Sequence, residues 1–286
     1  MKKAGKRALL WLLILAMFCF TGCNAPDSTV LGENGVQPIT VISFNVRREY
    51  EEDQGVRSWQ QRKQPLVEYL NQLSPDIFCL QEISKNILQD ITQGLSHSYD
   101  YKYFNGNLVL YRRDILKPEL TGAFYLNSDP TRAQVGWDGK NVRNCQYFLF
   151  SHIESGARFY LFNTHFDAFG NTARYESGIL LDRLFQECEY PFLLCGDLNC
   201  QEYTAAYHQL TRHMINCQAK APQTDSGITF HDWGRRADDS STPIDFCLAS
   251  DFGVEPISFS ILRDRWNGEN FYSDHYPVQC SVNILY

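Results

Sequence analysis

Apolar residues fall along this chain in two rhythms. The first is a set of short, nearly continuous apolar runs, rich in β-branched and aromatic residues, over 39–46, 76–83, 191–198, 244–250 and 278–285. Runs of that length, bounded by polar or turn residues, predict buried strands. The second is a three- and four-residue recurrence. Trp59, Leu66, Val67, Leu70 and Leu73 predict a helix over 58–73, and Tyr175, Ile179, Leu180 and Leu184 predict one over 172–188. Ser58 and Gln61 have the spacing of a capping box, while Pro65 predicts a kink or a later first turn. Asn105-Gly106 joins runs at 101–104 and 108–112, and Ser155-Gly156 joins 145–153 and 158–166, so both pairs read as hairpins. Two helices among about nine strands predict an α/β protein in which sheets pack face to face with helices outside. No internal repeat or low-complexity segment interrupts the pattern.

The runs share a second property: polar residues sit at their ends. Four close on Ser43-Phe44-Asn45-Val46, Leu80-Gln81-Glu82, Asn163-Thr164-His165-Phe166-Asp167 and Gly196-Asp197-Leu198-Asn199. The last run opens behind Ser273-Asp274-His275-Tyr276-Pro277-Val278. Polar residues that end successive buried strands converge on one rim of a sheet, where α/β enzymes build their sites. The residue types define a chemistry. Phosphate-ester hydrolysis needs a hard cation, a group that activates water and donors for the transition state. Glu82 suits Mg²⁺, which takes oxygen ligands, keeps several waters and uses one or two protein carboxylates. Asn45 does not titrate, so it suits a neutral metal ligand or an orienter of Glu82. His275 is the candidate general base or proton shuttle, because imidazole titrates near neutrality and a buried carboxylate holds its tautomer. Asp245 enters the apolar run Phe246-Cys247-Leu248-Ala249 and therefore calls for a buried partner. Alternation puts Asp197 and Asn199 on the same side of a strand end.

Composition narrows what such a site acts on. The chain has 286 residues, enough for one large domain or two small ones, and its 44% hydrophobic and 21% charged content is that of a soluble globular protein. Lys2, Lys3, Lys6 and Arg7 precede a 13-residue apolar stretch at 8–20, too short to span a bilayer comfortably, and then Phe20-Thr21-Gly22-Cys23. That end resembles a bacterial lipobox, with Phe20 where Leu is usual. The reading is a signal peptide over 1–22, lipidation on Cys23, a flexible tether over 23–37 and one domain over 38–286. The protein is then an exported lipoprotein anchored to the membrane outside the cytoplasm. A plain signal peptide or an uncleaved anchor is the alternative. The formal net charge is −7, and removing 1–22 leaves 22 basic against 33 acidic residues, a net charge of −11. Such a surface repels polyanions at long range, which disfavours tight, sequence-independent nucleic-acid binding. Of ten cysteines, eight lie beyond Cys19 and Cys23, with no C-x-x-C and no zinc-finger spacing, so buried free thiols are expected. Export would permit disulfides, and no pairing is assigned.

Taken in order, the segments SFNV, PDIFCLQE, NTHFD, GDLN, PIDFCLAS and SDHYPV resemble the endonuclease/exonuclease/phosphatase superfamily, also called deoxyribonuclease-I-like, over about 39–286. Gly136-Trp137-Asp138, Phe166-Asp167 with Arg174 and Glu176, and Thr229-Phe230-His231 are similar to a bacterial branch of it. The resemblance implies a four-layer α/β/β/α sandwich of two mixed sheets and cleavage of phosphodiesters or phosphomonoesters with Mg²⁺ or Mn²⁺. It makes Glu82 the metal glutamate and Asp274 an acid near the metal, which with Asn45 form the metal set. It also implies that Asp245 orients His275, that Asp197 orients or deprotonates the attacking water, and that Asn199 donates to a phosphate oxygen. His165 would contact phosphate or help protonate the leaving oxygen, supported by Asn163. Arg143 matches an arginine that reaches toward the site. Asp167, Arg174, Glu176, Trp137 and His231 are candidates to line the substrate cleft, with core or surface roles equally open.

The expectation is a monomeric, membrane-tethered, Mg²⁺-dependent phosphoesterase that works by metal-assisted attack of water. Location and charge favour a small molecule, a lipid head group or a glycan as substrate. An extracellular nuclease is the alternative. A binding lipoprotein that kept the fold and lost catalysis is the alternative from another class. It should lack site ligands, yet Asn45, Glu82, His165, Asp197, Asn199, Asp245, Asp274 and His275 are all present. The loops at 47–56, 127–141, 166–174 and 261–272 carry no readable motif. Arg47 and Arg48 are offset at once by Glu49, Glu51, Glu52 and Asp53.

Overall fold

The computed structural model describes residues 35–95, 98–236 and 242–286. The segment expected to be a signal peptide, Cys23 and the expected tether up to residue 34 lie outside the described residues. In chain order the strands are β1 (Val36–Asn45), β2 (Ile77–Gln81), β3 (Tyr99–Phe104), β4 (Asn107–Arg112), β5 (Leu116–Tyr125), β6 (Asn144–His152), β7 (Arg158–His165), β8 (Phe192–Asp197), β9 (Met214–Asn216), β10 (Gln223–Thr224), β11 (Asp245–Ser250), β12 (Val254–Ile261) and β13 (Val278–Leu285). The helices are α1 (Trp59–Leu73), α2 (Lys85–Gly94), α3 (Asn171–Phe185), α4 (Ala205–Leu210) and α5 (Cys217–Lys220).

Two mixed sheets result, one ordered β10-β12-β13-β1-β2-β4-β3 and the other β5-β6-β7-β8-β11-β9. Side-chain alternation sorts the apolar residues into three cores. From β1, Ile39 and Val41 enter the core between the sheets with Cys79, Phe148, Phe150 and Phe159. Ile42 and Phe44 point the other way, onto Trp59, Leu66 and Leu70 of α1 and Ile87 and Ile91 of α2. On the far side, Phe162, Leu194 and Phe246 meet Leu181, Leu184 and Phe185 of α3 and Tyr207 and Leu210 of α4. The chain is thus the α/β/β/α sandwich that the sequence resemblance implies.

Register is what positions the site. β1 and β2 are parallel and end together, Asn45 beside Gln81. β7 and β8 are parallel and also end together, His165 beside Asp197. β11 runs antiparallel to β8 and starts where β8 stops, Asp245 opposite Asp197. Gly196 makes the second alignment achievable: its φ is +153°, and a Cβ there would lie 1.9 Å from the Thr164 carbonyl oxygen on β7.

Several local expectations change. β1 starts at Val36, paired with Leu285, so residues 36 and 37 belong to the sheet and not to the tether. Ser58 does not cap α1 through its side chain, because its hydroxyl donates to the Gly55 carbonyl instead, and α1 runs through Pro65. The buried face of α3 is Ala173, Ser177, Leu180, Leu181 and Leu184, whereas Tyr175 is exposed. The face is rotated because Gly178 takes the close approach to α4. The eight described cysteines are free thiols, seven of them buried and Cys188 half-buried. Among the described residues no helix is long and apolar enough to cross a membrane.

Candidate active site

The strand ends meet at a cavity of about 960 Å³ whose wall includes Glu82, Arg143, His165, Asp197, Asn199, Asp274 and His275. The chain turns sharply there. Arg47 (φ 58°), Glu82 (φ 62°) and Asn199 (φ 47°) adopt left-handed backbone just past β1, β2 and β8. Such conformations are disfavoured for arginine and glutamate, and cluster where side chains must be aimed. Arg62 of α1 holds the frame from beneath. It is fully buried and donates to the carbonyls of Val46, Arg47, Arg57 and Tyr272, fixing the end of β1 against the segment that leads into Asp274.

Asn45 is the hinge of the polar network. Its amide nitrogen donates to Glu82 Oε1 (3.3 Å) and Asp197 Oδ2 (3.0 Å), while its oxygen accepts from the Arg47 backbone N–H (3.0 Å). In this arrangement the amide orients Glu82 and Asp197, one of the two roles expected for Asn45. Glu82 Oε2 accepts from Arg48 N–H (3.1 Å). Asp274 pairs with Arg47 (3.2 Å) and accepts from the Ser273 hydroxyl (3.2 Å). Burial pushes the Asp274 carboxyl up, against the pull of His275 and Arg47, and Glu82 adds to the rise.

Two histidines approach Asp197. His275 Nδ1 lies 2.8 Å from Asp245 Oδ2, and its Nε2 lies 3.8 Å from Asp197 Oδ2. Burial alone would lower the His275 pKa, but Asp245, Asp197 and Asp274 together raise it. His275 is therefore held as the imidazolium. His165 has the reverse setting. Its Nδ1 faces Arg143 Nη1 at 3.0 Å, and a guanidinium only donates, so Nδ1 accepts and the proton sits on Nε2. Asp197 Oδ2, 3.3 Å away, is the acceptor for it, while Asn199 Nδ2, 3.1 Å from the same Nε2, donates to the Phe166 carbonyl (3.1 Å). Burial first, then the charges of Arg143 and His275, push His165 well below its ordinary value, so it stays neutral. Burial and Asp245 raise the Asp197 carboxyl, partly opposed by His275.

Two donor sets bear on a metal. One oxygen or nitrogen each from Asp197, Asp245 and His275 lie within 4.8 Å of one another. Within this group His275 Nδ1 and Asp245 Oδ2 bond to each other, which is the geometry of a proton-handling dyad. Glu82 and Asp274 instead offer oxygen atoms on the same cavity wall, the donor type a hard cation takes. The residues fit a metal-dependent site.

Four expected substrate residues are placed otherwise or more narrowly. Asn163 is fully buried between the sheets, donating to the carbonyls of Leu80 and Leu108 and accepting from Gln81, so it clips the sheets together and does not meet substrate. Asp167 is an internal anchor: its carboxylate accepts from the backbone of Lys140, Asn141, Phe169 and Gly170, which holds it down at about 2 although burial opposes this. His231 is buried against Phe271 and Tyr276, both 4.1 Å away between ring centroids, and accepts from Gly234 N–H. Arg143 alone of the four lines the cavity. Trp137, Arg174 and Glu176 do not line it; Arg174 donates to the Asp167 carbonyl and reinforces the same anchor. Sequence reasoning missed Arg62, whose carbonyl partners come from distant segments. It also missed Phe169 and Gln201, which line the cavity from loops without a motif.

Strand-end acids, an amide hinge and one neutral and one charged imidazole surround the cavity, a residue set of the kind that metal-dependent phosphoester hydrolysis uses. The chain belongs to the Endonuclease/Exonuclease/phosphatase family, which matches it over residues 42–275. A solved endonuclease/exonuclease/phosphatase from Bacteroides vulgatus is 27% identical with a TM-score of 0.80, covering 87% of this chain and 99% of that one. A mannosyl-6-phosphatase from Bacteroides thetaiotaomicron is 26% identical with a TM-score of 0.77, covering 85% and 99%. The CCR4-Not complex 3'-5'-exoribonuclease subunit Ccr4 of Saccharomyces cerevisiae is 23% identical over 212 residues, 59% of this chain. The match takes in only 25% of Ccr4, so this chain spans about a quarter of that relative's length.

Proposed function

We propose that this protein is a Mg²⁺-dependent phosphatase for small phosphate monoesters, tethered outside the cytoplasm. The observation that carries the chemistry is Asp197, flanked by a neutral His165 and a charged His275 on the cavity wall that also holds Glu82 and Asp274. Glu82 and Asp274 would hold the cation, which neutralises phosphoryl oxygens and lowers the pKa of water. Asp197, a stronger base than an ordinary carboxylate because it is buried, accepts the proton of the attacking water. His165 keeps Asp197 aimed through its Nε2–H. His275, charged, donates from Nε2 to a phosphoryl oxygen as charge develops there, so its role is that of a donor more than of the base expected from sequence. Asn199 adds an amide to the same wall.

A monoester carries more charge than a diester, and Arg48, Lys85, Arg143 and Arg236 all line this cavity in an otherwise acidic protein. The likeness to a mannosyl-6-phosphatase supports the same reading. The test is Mg²⁺-dependent hydrolysis of a generic phosphomonoester against a phosphodiester, using protein that starts after Cys23, with and without chelator. Preference for the monoester, abolished by chelator, is expected. Preference for the diester would favour a nuclease or a lipid diesterase. No turnover of either with Mg²⁺ or Mn²⁺ would overturn the reading. The tether rests on the basic, apolar and Cys23-terminated sequence at the N-terminus. Cys23→Ser should move the protein from the membrane fraction to the soluble exported fraction or block its processing.

A further inference from the structure

We infer that Phe169 is a stacking platform for the leaving group, and that this group is a sugar ring. The inference rests on the phosphoesterase reading and names its substrate class. Phe169 is 60% exposed and lines the cavity, the most exposed large apolar side chain on that wall. An apolar ring left in water is unremarkable on a mobile loop, but this one is pinned. Asp167 accepts from Phe169 N–H (2.9 Å) and Gly170 N–H (2.9 Å) on one side and from Lys140 N–H (3.0 Å) and Asn141 N–H (2.9 Å) on the other. Two loops are thereby tied into one rigid piece four residues downstream of His165. Lys140 Nζ sits 4.3 Å from the centre of the Phe169 ring and does not line the cavity, so its contact steadies the ring without filling the cavity. A ring fixed in place with its cavity side uncovered has already lost the freedom that ligand binding would otherwise remove.

The neighbours select the occupant. Asn141 and Gln201 share the wall with Phe169, and the Gln201 amide has no hydrogen-bond partner among the described residues. Amides both donate and accept, which matches hydroxyl groups around the rim of a sugar whose C–H face lies on the phenyl ring.

The test compares wild type, Phe169→Ala and Phe169→Trp on a hexose 6-phosphate, glycerol 3-phosphate and a nucleoside 5'-monophosphate with Mg²⁺. The ratio of kcat/KM for the hexose ester to that for the glycerol ester should fall about 5–10-fold in Phe169→Ala and recover in Phe169→Trp. An unchanged ratio overturns the platform, and a fall confined to the nucleotide overturns the sugar. If wild type turns over none of the three, the phosphoesterase reading has failed separately. Calorimetric binding of hexose 6-phosphate in chelator then decides: weaker binding in Phe169→Ala supports the platform, and equal or absent binding in both proteins overturns it.

Discussion

His165 and His275 reach the same carboxylate from opposite sheets, and their second partners set them apart, one neutral and one cationic. His165 ends β7 with Arg143 on its Nδ1, which excludes a second proton. His275 precedes β13 with Asp245 on its Nδ1, which demands one. Burial pushes both toward neutrality, and only the Asp245 side overcomes it. Burial acts on both rings alike, so it is the residue on the far nitrogen that distinguishes what each imidazole does to a phosphate placed between them.

The largest effects should come from removing what the two sides share. Asp197→Asn or His275→Ala should lower kcat by about 10³-fold or more while leaving the folded structure intact by circular dichroism. Retention of most turnover in either variant would show that the strand-end constellation is not the catalytic centre. Next is Asp245→Asn, which takes the charge from the dyad and should cost about 10²-fold. Its pH dependence is the sharper readout. In wild type the raised His275 pKa keeps the donor protonated well above neutrality. In the variant that pKa drops, so activity should fall as pH rises through a lower value, and a pH profile of unchanged shape would contradict the imidazolium.

Arg143→Met tests the other side and should cost less, about 10-fold. Without the guanidinium the His165 pKa rises, because one of the causes that hold it down is gone. His165 then takes up a proton as pH falls, so the variant should lose activity on the acid side of a range over which wild type is flat. Equal profiles would show that Arg143 does not set the tautomer.

Much of this centre was legible in the sequence because its residues end strands whose register brings them together: Asn45, Glu82, His165, Asp197, Asp245 and His275. The layers were legible from the apolar rhythms of β1, β2, β7 and β8. What failed were inferences from residue type alone. Asn163, Asp167 and His231 are the right kinds of side chain for a cleft, yet each is spent internally, on carbonyls, backbone N–H groups or aromatic faces contributed by distant segments. α2 covers only ten residues, too few for its period to stand out, and β12 carries Pro256 with a register shift beside it, which weakens its strand signal. Phe169 was invisible because what makes it notable is the rigidity of its loop.

The smallest expected effect concerns stability, and it extends the comparison to a third histidine, one without a charged partner. Burial, with a further push from the charge of His275, lowers His231 to about 3. In the unfolded chain its pKa returns to about 6.5. Between those values the unfolded state binds the extra proton, so the stabilising contribution is complete above about pH 6.5 and declines as pH falls toward 3. At pH 5 a group of this kind costs about 2 kcal/mol relative to pH 7.5. His231→Phe keeps the packing against Phe271 and Tyr276 but cannot protonate. It should lose a little stability at pH 7.5, where Gly234 N–H keeps only its bond to the residue-231 carbonyl, and show a shallower decline between pH 7.5 and 5 in urea midpoints. His165 is neutral by the same rule and will leave a residual slope in the variant, so the informative quantity is the difference between the two proteins. Identical slopes would mean that His231 takes up its proton as readily in the fold as in the unfolded chain, so that its aromatic setting does not hold it neutral.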